Sequence, residues 1–395
     1  MKILIVHNTY QQPGGEDVVV AAETRMLEQN GHTVIRYSRS NDEIAAMSGP
    51  ERLMLVKNMI RSERSKQQLY ALLRAERPDL VHVHNTFLMI SPSVFESSRD
   101  AGIPSVQTLH NYRLLCPGWT LSREGAVCEE CLHRGLWRGV WHGCYRNSRL
   151  MTAAVALMLQ THRANRTWEE AVDGYIALTN FARSKFIQGG LPAAAIHVKP
   201  NFLDGDPGER TSVGRSMLFI GRLSPEKGVD VLLKAWEKLS TPIPLLIFGD
   251  GPLRKELEAQ AAAKKLTNIT FVGWQNRTAI FAALKNAAAL IAPSLCYEGF
   301  PMTLVEAFAC GTPVICSGFG GLAEIVEDGR TGLHFRPGDE NDLAGKIEWA
   351  WDRQGTLSAM GREARAGFEK YFTAKANYQL LLEIYEKAIA HAAMN

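Results

Sequence analysis

At 395 residues, 46% hydrophobic, 22% charged and with a net charge of +3, the chain has the composition of an ordinary globular protein and the length for two or three domains that each bury a core. Its longest apolar stretch, residues 150–159, is too short to span a bilayer as a helix. The start, Met1-Lys-Ile-Leu-Ile-Val6, runs straight into His7 and Asn8 without a small-residue cleavage site. It reads as a first strand rather than a signal peptide, so a cytoplasmic location is expected, where the seven cysteines do not favour disulfides.

The first half alternates strand-like and helix-like segments. Residues 2–6 predict a strand, Gly14-Gly15 a turn, 16–29 a helix stopped by Gly31, and 33–37 the next strand. Residues 52–77 read as a basic helical face carrying Arg52, Lys57, Arg61, Arg64, Lys66, Arg74 and Arg77. Such a face is either a solvated surface or one drawn to anionic lipid or an anionic acceptor. Residues 79–84, 104–109 and 175–178 continue the strands.

A polar Pro/Gly-rich linker follows at 200–208, and the alternation then restarts. Strands are predicted at 217–220, 245–248, 269–272, 290–292 and 314–316, and helices at 229–239, 253–264, 278–286, 302–309 and 322–326, with a last helix at 374–390. The expected fold class is α/β, two doubly wound halves facing across a cleft.

The densest chemistry lies in Glu298-Gly-Phe-Pro-Met-Thr-Leu-Val-Glu306. Glu298 falls in a loop at the carboxyl end of a strand and Glu306 on the next helix, at the edge where open α/β sheets bind ligands. The first-turn amides of that helix attract an anion such as a diphosphate, and two acids beside it suit hydroxyls of a ribose and a sugar. Gly221-Arg-Leu-Ser-Pro-Glu-Lys-Gly228 follows another strand. Arg222 and Lys227 there place a planar fork and a point charge where a leaving diphosphate needs fixed donors. Gly14-Gly15 leaves room for close approach of a ligand to the backbone, without the dinucleotide spacing. His110 sits just past its strand, and His82 and His84 end a neighbouring one. Taken singly, each of these residues fits an ordinary solvated or structural role about as well.

Cys116, Cys128, Cys131 and Cys144 cluster in a Gly/Trp-rich insertion, residues 112–148. A central Cys-x-x-Cys flanked by one Cys on each side fits a structural zinc site, and free buried thiols fit equally.

In their order, these motifs resemble the retaining glycosyltransferases of family 4, the GT-B group that includes many bacterial cell-envelope and exopolysaccharide enzymes. The resemblance covers nearly the whole chain. It rests on the Gly14-Gly15 loop, Val198-Lys-Pro-Asn201, Gly221-Arg222 with Lys227-Gly228, Gly249-Asp-Gly-Pro252, Glu298 with Glu306, Gly311-Thr-Pro-Val314, Gly320-Gly321 with Glu324, and Asp328-Gly-Arg-Thr-Gly332. One departure is Pro301, where many relatives have Gly.

The resemblance implies that Arg222 and Lys227 hold a donor diphosphate, Glu298 the transferred sugar and Glu306 the ribose. Gly15 would meet a phosphate, and His110 would face the donor sugar. Phe300, Pro301, Met302, Thr303 and Leu304 become further donor-binding positions.

It also implies an acceptor domain over 1–200, a nucleotide-sugar domain over 209–373, and a terminal helix, 374–395, returning to the first. The expected activity is transfer of a sugar from a nucleotide-sugar donor, such as a UDP- or GDP-sugar, to a glycan or polyprenyl-linked acceptor, with retention. No metal is expected in the chemistry and no nucleic acid among the partners. An anionic membrane surface on the inner face of the cytoplasmic membrane is the further partner considered. The competing readings are a GT-B phosphorylase or epimerase acting on a sugar nucleotide, and a non-catalytic sugar-nucleotide-binding module.

Overall fold

The computed structural model describes residues 1–11, 14–212 and 214–394; the side chains of Pro50, Arg52 and Leu53 lie outside the description, Arg52 of the basic stretch among them. The chain folds as two compact units. One comprises Met1–Leu121, Glu129–Asn201 and Ala374–Asn395, the other Ser122–Cys128 and Phe202–Thr373.

In chain order the strands begin with β1 (Lys2–Thr9), β2 (Thr33–Ser40), β3 (Leu80–Asn85), β4 (Ser105–Leu109), β5 (Ser122–Arg123), β6 (Ala126–Val127), β7 (Gly174–Ala177) and β8 (Ile196–Val198). They continue with β9 (Met217–Ile220), β10 (Leu245–Phe248), β11 (Ile269–Gly273), β12 (Ala289–Ala292), β13 (Val314–Ser317) and β14 (Gly332–Phe335). The first unit holds a sheet ordered β2-β1-β3-β4-β7-β8 and the second a sheet ordered β11-β10-β9-β12-β13-β14, with parallel pairing throughout both. Strands β5 and β6 form a separate antiparallel hairpin.

The strands are short apolar runs because helices cover both faces of each sheet. Ile3, Leu4, Ile5 and Val6 of β1 are at most 2% exposed, and Met217, Leu218 and Phe219 of β9 at most 3%. Full burial of side chains of this size stabilises by about 1.5–3 kcal/mol each, before the entropic cost of ordering the chain. In the second unit Trp236, Leu245, Ile247, Leu333, Leu343 and Ile347 belong to one core cluster. In the first, the terminal helix Ala374–Met394 buries Leu381, Ile384, Tyr385 and Ala388 and contacts β7.

Each sheet has one place where strand order reverses, between β1 and β3 in the first and between β9 and β12 in the second. Loops leaving the carboxyl ends of such a strand pair diverge to opposite faces and open a crevice. The loops after β9 and β12 carry Arg222, Lys227 and Glu298.

The structure departs from the sequence reading in specific places. The basic stretch is two helices, Gly49–Ile60 and Glu63–Glu76, separated at Arg61 and Ser62. The Ser62 hydroxyl accepts from the Ser65 amide and starts the second helix afresh. Residues 150–159 lie in Arg149–Ala164, an amphipathic helix that buries Val155 and Leu159 but leaves Leu150 80% and Leu157 54% exposed. Elements with no counterpart in that reading include β8 and β14 and the helices Val94–Ala101, Asn180–Gln188, Glu340–Trp351 and Gln354–Tyr371. Among the described residues no helix is long and apolar enough to cross a membrane.

Candidate active site

In the second unit, glycines bring the carboxyl-edge loops into backbone contact. Gly228 has φ +68°, and a Cβ there would lie 1.9 Å from the Pro293 carbonyl oxygen. Gly249, at φ +133°, would place a Cβ 1.9 Å from the Gly221 carbonyl oxygen. Only glycine tolerates both the dihedral and the approach, so the loop after β9 is wedged between those after β10 and β12.

That approach joins Lys227 to Glu298. Lys227 Nζ donates to Glu298 Oε1 at 2.6 Å, and the Ser294 hydroxyl donates to the same oxygen at 2.6 Å. Burial disfavours the Lys227 charge, but the Glu298 carboxylate outweighs it and raises the lysine pKa. One carboxylate is thus held by two donors from two loops, while the ammonium keeps further N–H groups for another acceptor. Arg222 is exposed on the same loop.

Glu306 lies on the helix Met302–Ala309 with its side chain 12% exposed. The loss of water pushes its pKa up to about 6, with Arg277 pulling it partly back. Arg277 Nε is 3.5 Å from Glu306 Oε1. Arg277 opens the helix Arg277–Lys285, whose N-cap Asn276 accepts from Ala279. The sequence reading missed Arg277, although an Asn cap before an Arg at a helix start marks a cation fixed at a strand's carboxyl end.

The remaining donor-side positions divide by burial. Phe300 is 9% exposed and packs edge-on against Phe372 with ring centroids 5.9 Å apart. Leu304 is fully buried and its amide donates to the Pro301 carbonyl at 3.1 Å. Pro301, Met302 and Thr303 are half-buried. Helix geometry leaves the Met302 and Thr303 amides without intrahelical acceptors.

In the first unit, His110 leaves β4 and lines a cavity of about 50 Å³ with His84, Asn85, Phe87, Arg113 and Glu16. Arg113 lies 3.8 Å from the centroid of the Phe87 ring. Burial and then Asp17 push the Glu16 carboxyl up to about 8, with Arg113 opposing. Gly15 opens the helix Gly15–Gln29, and a Cβ on it would meet nothing within 4 Å. Nothing in this unit's own packing therefore requires glycine at position 15. His84 Nδ1 and His110 Nε2 are hydrogen-bonded at 3.0 Å. His82 is engaged on both sides, by the Tyr385 hydroxyl at 2.7 Å and the Thr108 hydroxyl at 2.8 Å.

Among the described residues, Glu23, His82 and His84 form the group whose ligand atoms lie within 4.8 Å of one another. Lys199 already holds that glutamate at 2.5 Å and both His82 nitrogens are engaged, so the trio serves as a hydrogen-bond network. The four cysteine sulfurs are not gathered in this way. Cys116 and Cys131 share a hydrogen bond, and a Cβ on Gly118 would sit 3.4 Å from Cys144 Cβ and 3.6 Å from Cys116 Sγ. Cys128 groups with the second unit.

The basic stretch is less available than its sequence suggested. Arg61 pairs with Glu63 and Glu96, and Lys66 with Glu96 and Asp100.

Two adjoining family profiles match the chain, Glycosyltransferase Family 4 over residues 13–206 and Glycosyl transferases group 1 over residues 212–367. The chain belongs to glycosyltransferase family 4. It is similar to the uncharacterized glycosyltransferase MJ1178 of Methanocaldococcus jannaschii, 32% identical over 43% of this chain and 47% of that protein. It is also similar to the D-rhamnosyltransferase WbpZ of Pseudomonas aeruginosa, 36% identical over 40% of this chain and 42% of that one. These matches span under half the length of either relative. Anabaena Alr3699/HepE, solved in complex with UDP-glucose, superposes with a TM-score of 0.66 at 20% identity, covering 98% of this chain and 100% of that one. The likeness shows the GT-B fold, with two doubly wound units.

The Glu306–Arg277 contact makes a prediction. Folded Glu306 binds its proton more tightly than an unfolded glutamate, so this group favours folding below a pH near 4.5, and that contribution is lost as pH rises through about 6. Arg277→Gln removes the nearby cation and should move the Glu306 midpoint up by about 1 unit or more. Carboxyl-carbon NMR against pH measures it; an unmoved midpoint rules out Arg277 as the controlling charge.

Proposed function

We propose that this family 4 protein transfers a sugar from a nucleotide-sugar donor to a glycan or lipid-linked glycan acceptor with retention of anomeric configuration. The observation that carries this reading is the meeting of Lys227 and Glu298 at the strand-order reversal of the second unit. A cation suited to a diphosphate and a carboxylate suited to sugar hydroxyls are fixed in contact there. The names of similar proteins support it, a D-rhamnosyltransferase and a protein solved with UDP-glucose.

In this reading the second unit binds the donor and the first the acceptor. Arg222, Lys227 and the Met302 and Thr303 amides meet the diphosphate, so charge that develops on it as it leaves finds donors already oriented. Glu298, held by Lys227 and Ser294, takes the hydroxyls of the transferred sugar, and Glu306 those of the ribose. Gly15 gives a phosphate access to backbone, and His110 faces the sugar.

The bond from the anomeric carbon to the phosphate oxygen breaks, and the acceptor oxygen bonds to that carbon on the same face. The acceptor's proton passes to the leaving phosphate oxygen. Positioning supplies the advantage of such a step.

Lys227→Ala should lower kcat about 10²-fold with the fold intact. Glu306→Ala should weaken binding of a free nucleoside diphosphate, whereas Glu298→Ala should weaken only the intact donor. Calorimetric titration separates the two, and equal losses for both variants with both ligands would overturn the assignments.

A membrane-anchored acceptor fits a different surface from the basic stretch. Trp137 and Trp141, on the short helix Trp137–His142, are 57% and 61% exposed, and Leu150 and Leu157 stand out from the adjoining helix. Arg138 lies 4.9 Å from the Trp137 ring centroid and Arg149 lies 5.4 Å from that of Trp141. Trp beside Arg is the composition of a bilayer interface. Sedimentation with vesicles should increase with anionic lipid and fall at least several-fold in Trp137→Ser/Trp141→Ser. Equal partitioning onto neutral and anionic vesicles would count against a membrane partner.

A structural zinc at the cysteines is a separate proposal, supported by the pairing of Cys116 with Cys131 and the nearness of Cys144. Elemental analysis should then give about one zinc per chain, lost with stability in Cys128→Ser. A zinc-free, fully active preparation ends it.

A further inference from the structure

Behind His110 the first unit buries a chain of polar groups that no step above uses. Glu23, on the inner face of the helix Gly15–Gln29, is fully buried, as is Lys199. Glu23 Oε1 accepts from Lys199 Nζ at 2.5 Å, and Lys199 donates also to Asn377 Oδ1 at 2.9 Å. With an ammonium as its partner Glu23 is a carboxylate, an acceptor with no proton to offer.

Its other oxygen, Oε2, lies 3.4 Å from His84 Nε2. Both atoms are buried and neither makes a hydrogen bond, to the other or elsewhere. Glu23 Oε2 is also 3.8 Å from His82 Nδ1, which is taken by the Tyr385 hydroxyl.

Two unprotonated atoms facing each other in the buried interior would leave two acceptors unsatisfied and mutually repelling. A proton on His84 Nε2 replaces that repulsion with an attraction across the 3.4 Å gap. A neutral imidazole carries only one proton, so His84 Nδ1 is then bare and must accept from His110. His110 Nε2, 3.0 Å away, is therefore the N–H that donates. The remaining nitrogen of His110, Nδ1, has no proton.

We propose that Glu23 sets the tautomers of His84 and then of His110, so that His110 offers an unprotonated Nδ1 and accepts a hydrogen bond from a ligand hydroxyl. Glu23 and His84 are positioning residues. The ligand half of the proposal rests on the reading of His110 as a residue that faces the sugar. Both rings are neutral near pH 7, because burial, with other cationic or imidazole neighbours next, holds His84 and His110 well below the usual histidine range. The consequence is selectivity: an acceptor-only nitrogen welcomes a sugar hydroxyl and repels a phosphate oxygen, which keeps a diphosphate away from this position.

Long-range proton–nitrogen spectra of the full chain labelled at histidine nitrogen, at pH 7.5, read the tautomers directly. His84 and His110 should both be the Nε2–H form. His110 as the Nδ1–H form, or as an imidazolium, overturns the proposal. In Glu23→Gln the amide carbonyl stays on the Lys199 ammonium, which can only donate, so the amide N–H faces His84 Nε2 and the His110 signals should move to the Nδ1–H form. A folded Glu23→Gln chain that keeps the pure Nε2–H form removes Glu23 as the cause. Should that variant fail to fold, the wild-type spectrum still decides, and Glu23→Asp, which withdraws the carboxylate from His84 while keeping its charge, repeats the comparison. Separately, undiminished donor turnover in His110→Ala would overturn the ligand role of His110 and leave the tautomer result standing.

Discussion

Parallel pairing is the constraint on which the rest of this protein depends. Parallel strands must be joined by crossovers, so every strand in a sheet delivers its carboxyl end to the same edge. Chain segments far apart in sequence are thereby collected at one place. Lys227 and Glu298 are 71 positions apart and meet at 2.6 Å, and His84 and His110 meet across 26 positions in the other sheet. The reversal of strand order then leaves a gap at that edge which side chains from its loops can line.

Glycine makes the edge close enough to function. The wedge formed at Gly228 and Gly249 is backbone against backbone, and no side chain could occupy either position. Their role is structural, whereas Gly15 stands before open space in its own unit. The same residue type thus performs opposite tasks, one filling a contact and one leaving it vacant. Only the surroundings distinguish them.

Charge inside each unit follows a single rule: it is buried only with a partner. Lys199 and Glu23 are fully buried together, and removing one partner of such a pair typically costs about 3–5 kcal/mol because the other is stranded. Lys227 and Glu298 are paired but less enclosed, at 28% and 13% side-chain exposure. The first pair therefore suits a fixed framework, and the second suits a site that an incoming anion can join. The cations of the basic stretch obey the rule at the surface, where Glu96 takes both Arg61 and Lys66 and leaves a less charged face than the sequence suggested.

The sequence by itself determined most of the sheet strands in both halves, because buried parallel strands must be short apolar runs and turns must carry Gly and Pro. It also determined the family, since Arg222, Lys227, Glu298 and Glu306 stand at recognisable spacings. It was silent on β8 and β14 and on the helices Val94–Ala101, Asn180–Gln188, Glu340–Trp351 and Gln354–Tyr371, though Asp339 caps the helix Glu340–Trp351 through the Asn341 and Asp342 amides. Tertiary structure alone decided that Phe300 and Leu304 face the core, that Arg277 faces Glu306, and that Leu150 and the two tryptophans face outward. It also decided that Glu23, one acid among several on an ordinary helix, lies against Lys199 and His84. The reason is physical. Local spacing fixes which face of an element a residue occupies, but what that face meets is set by packing between elements distant in sequence, and hydrogen-bond partners and pKa values are properties of that meeting.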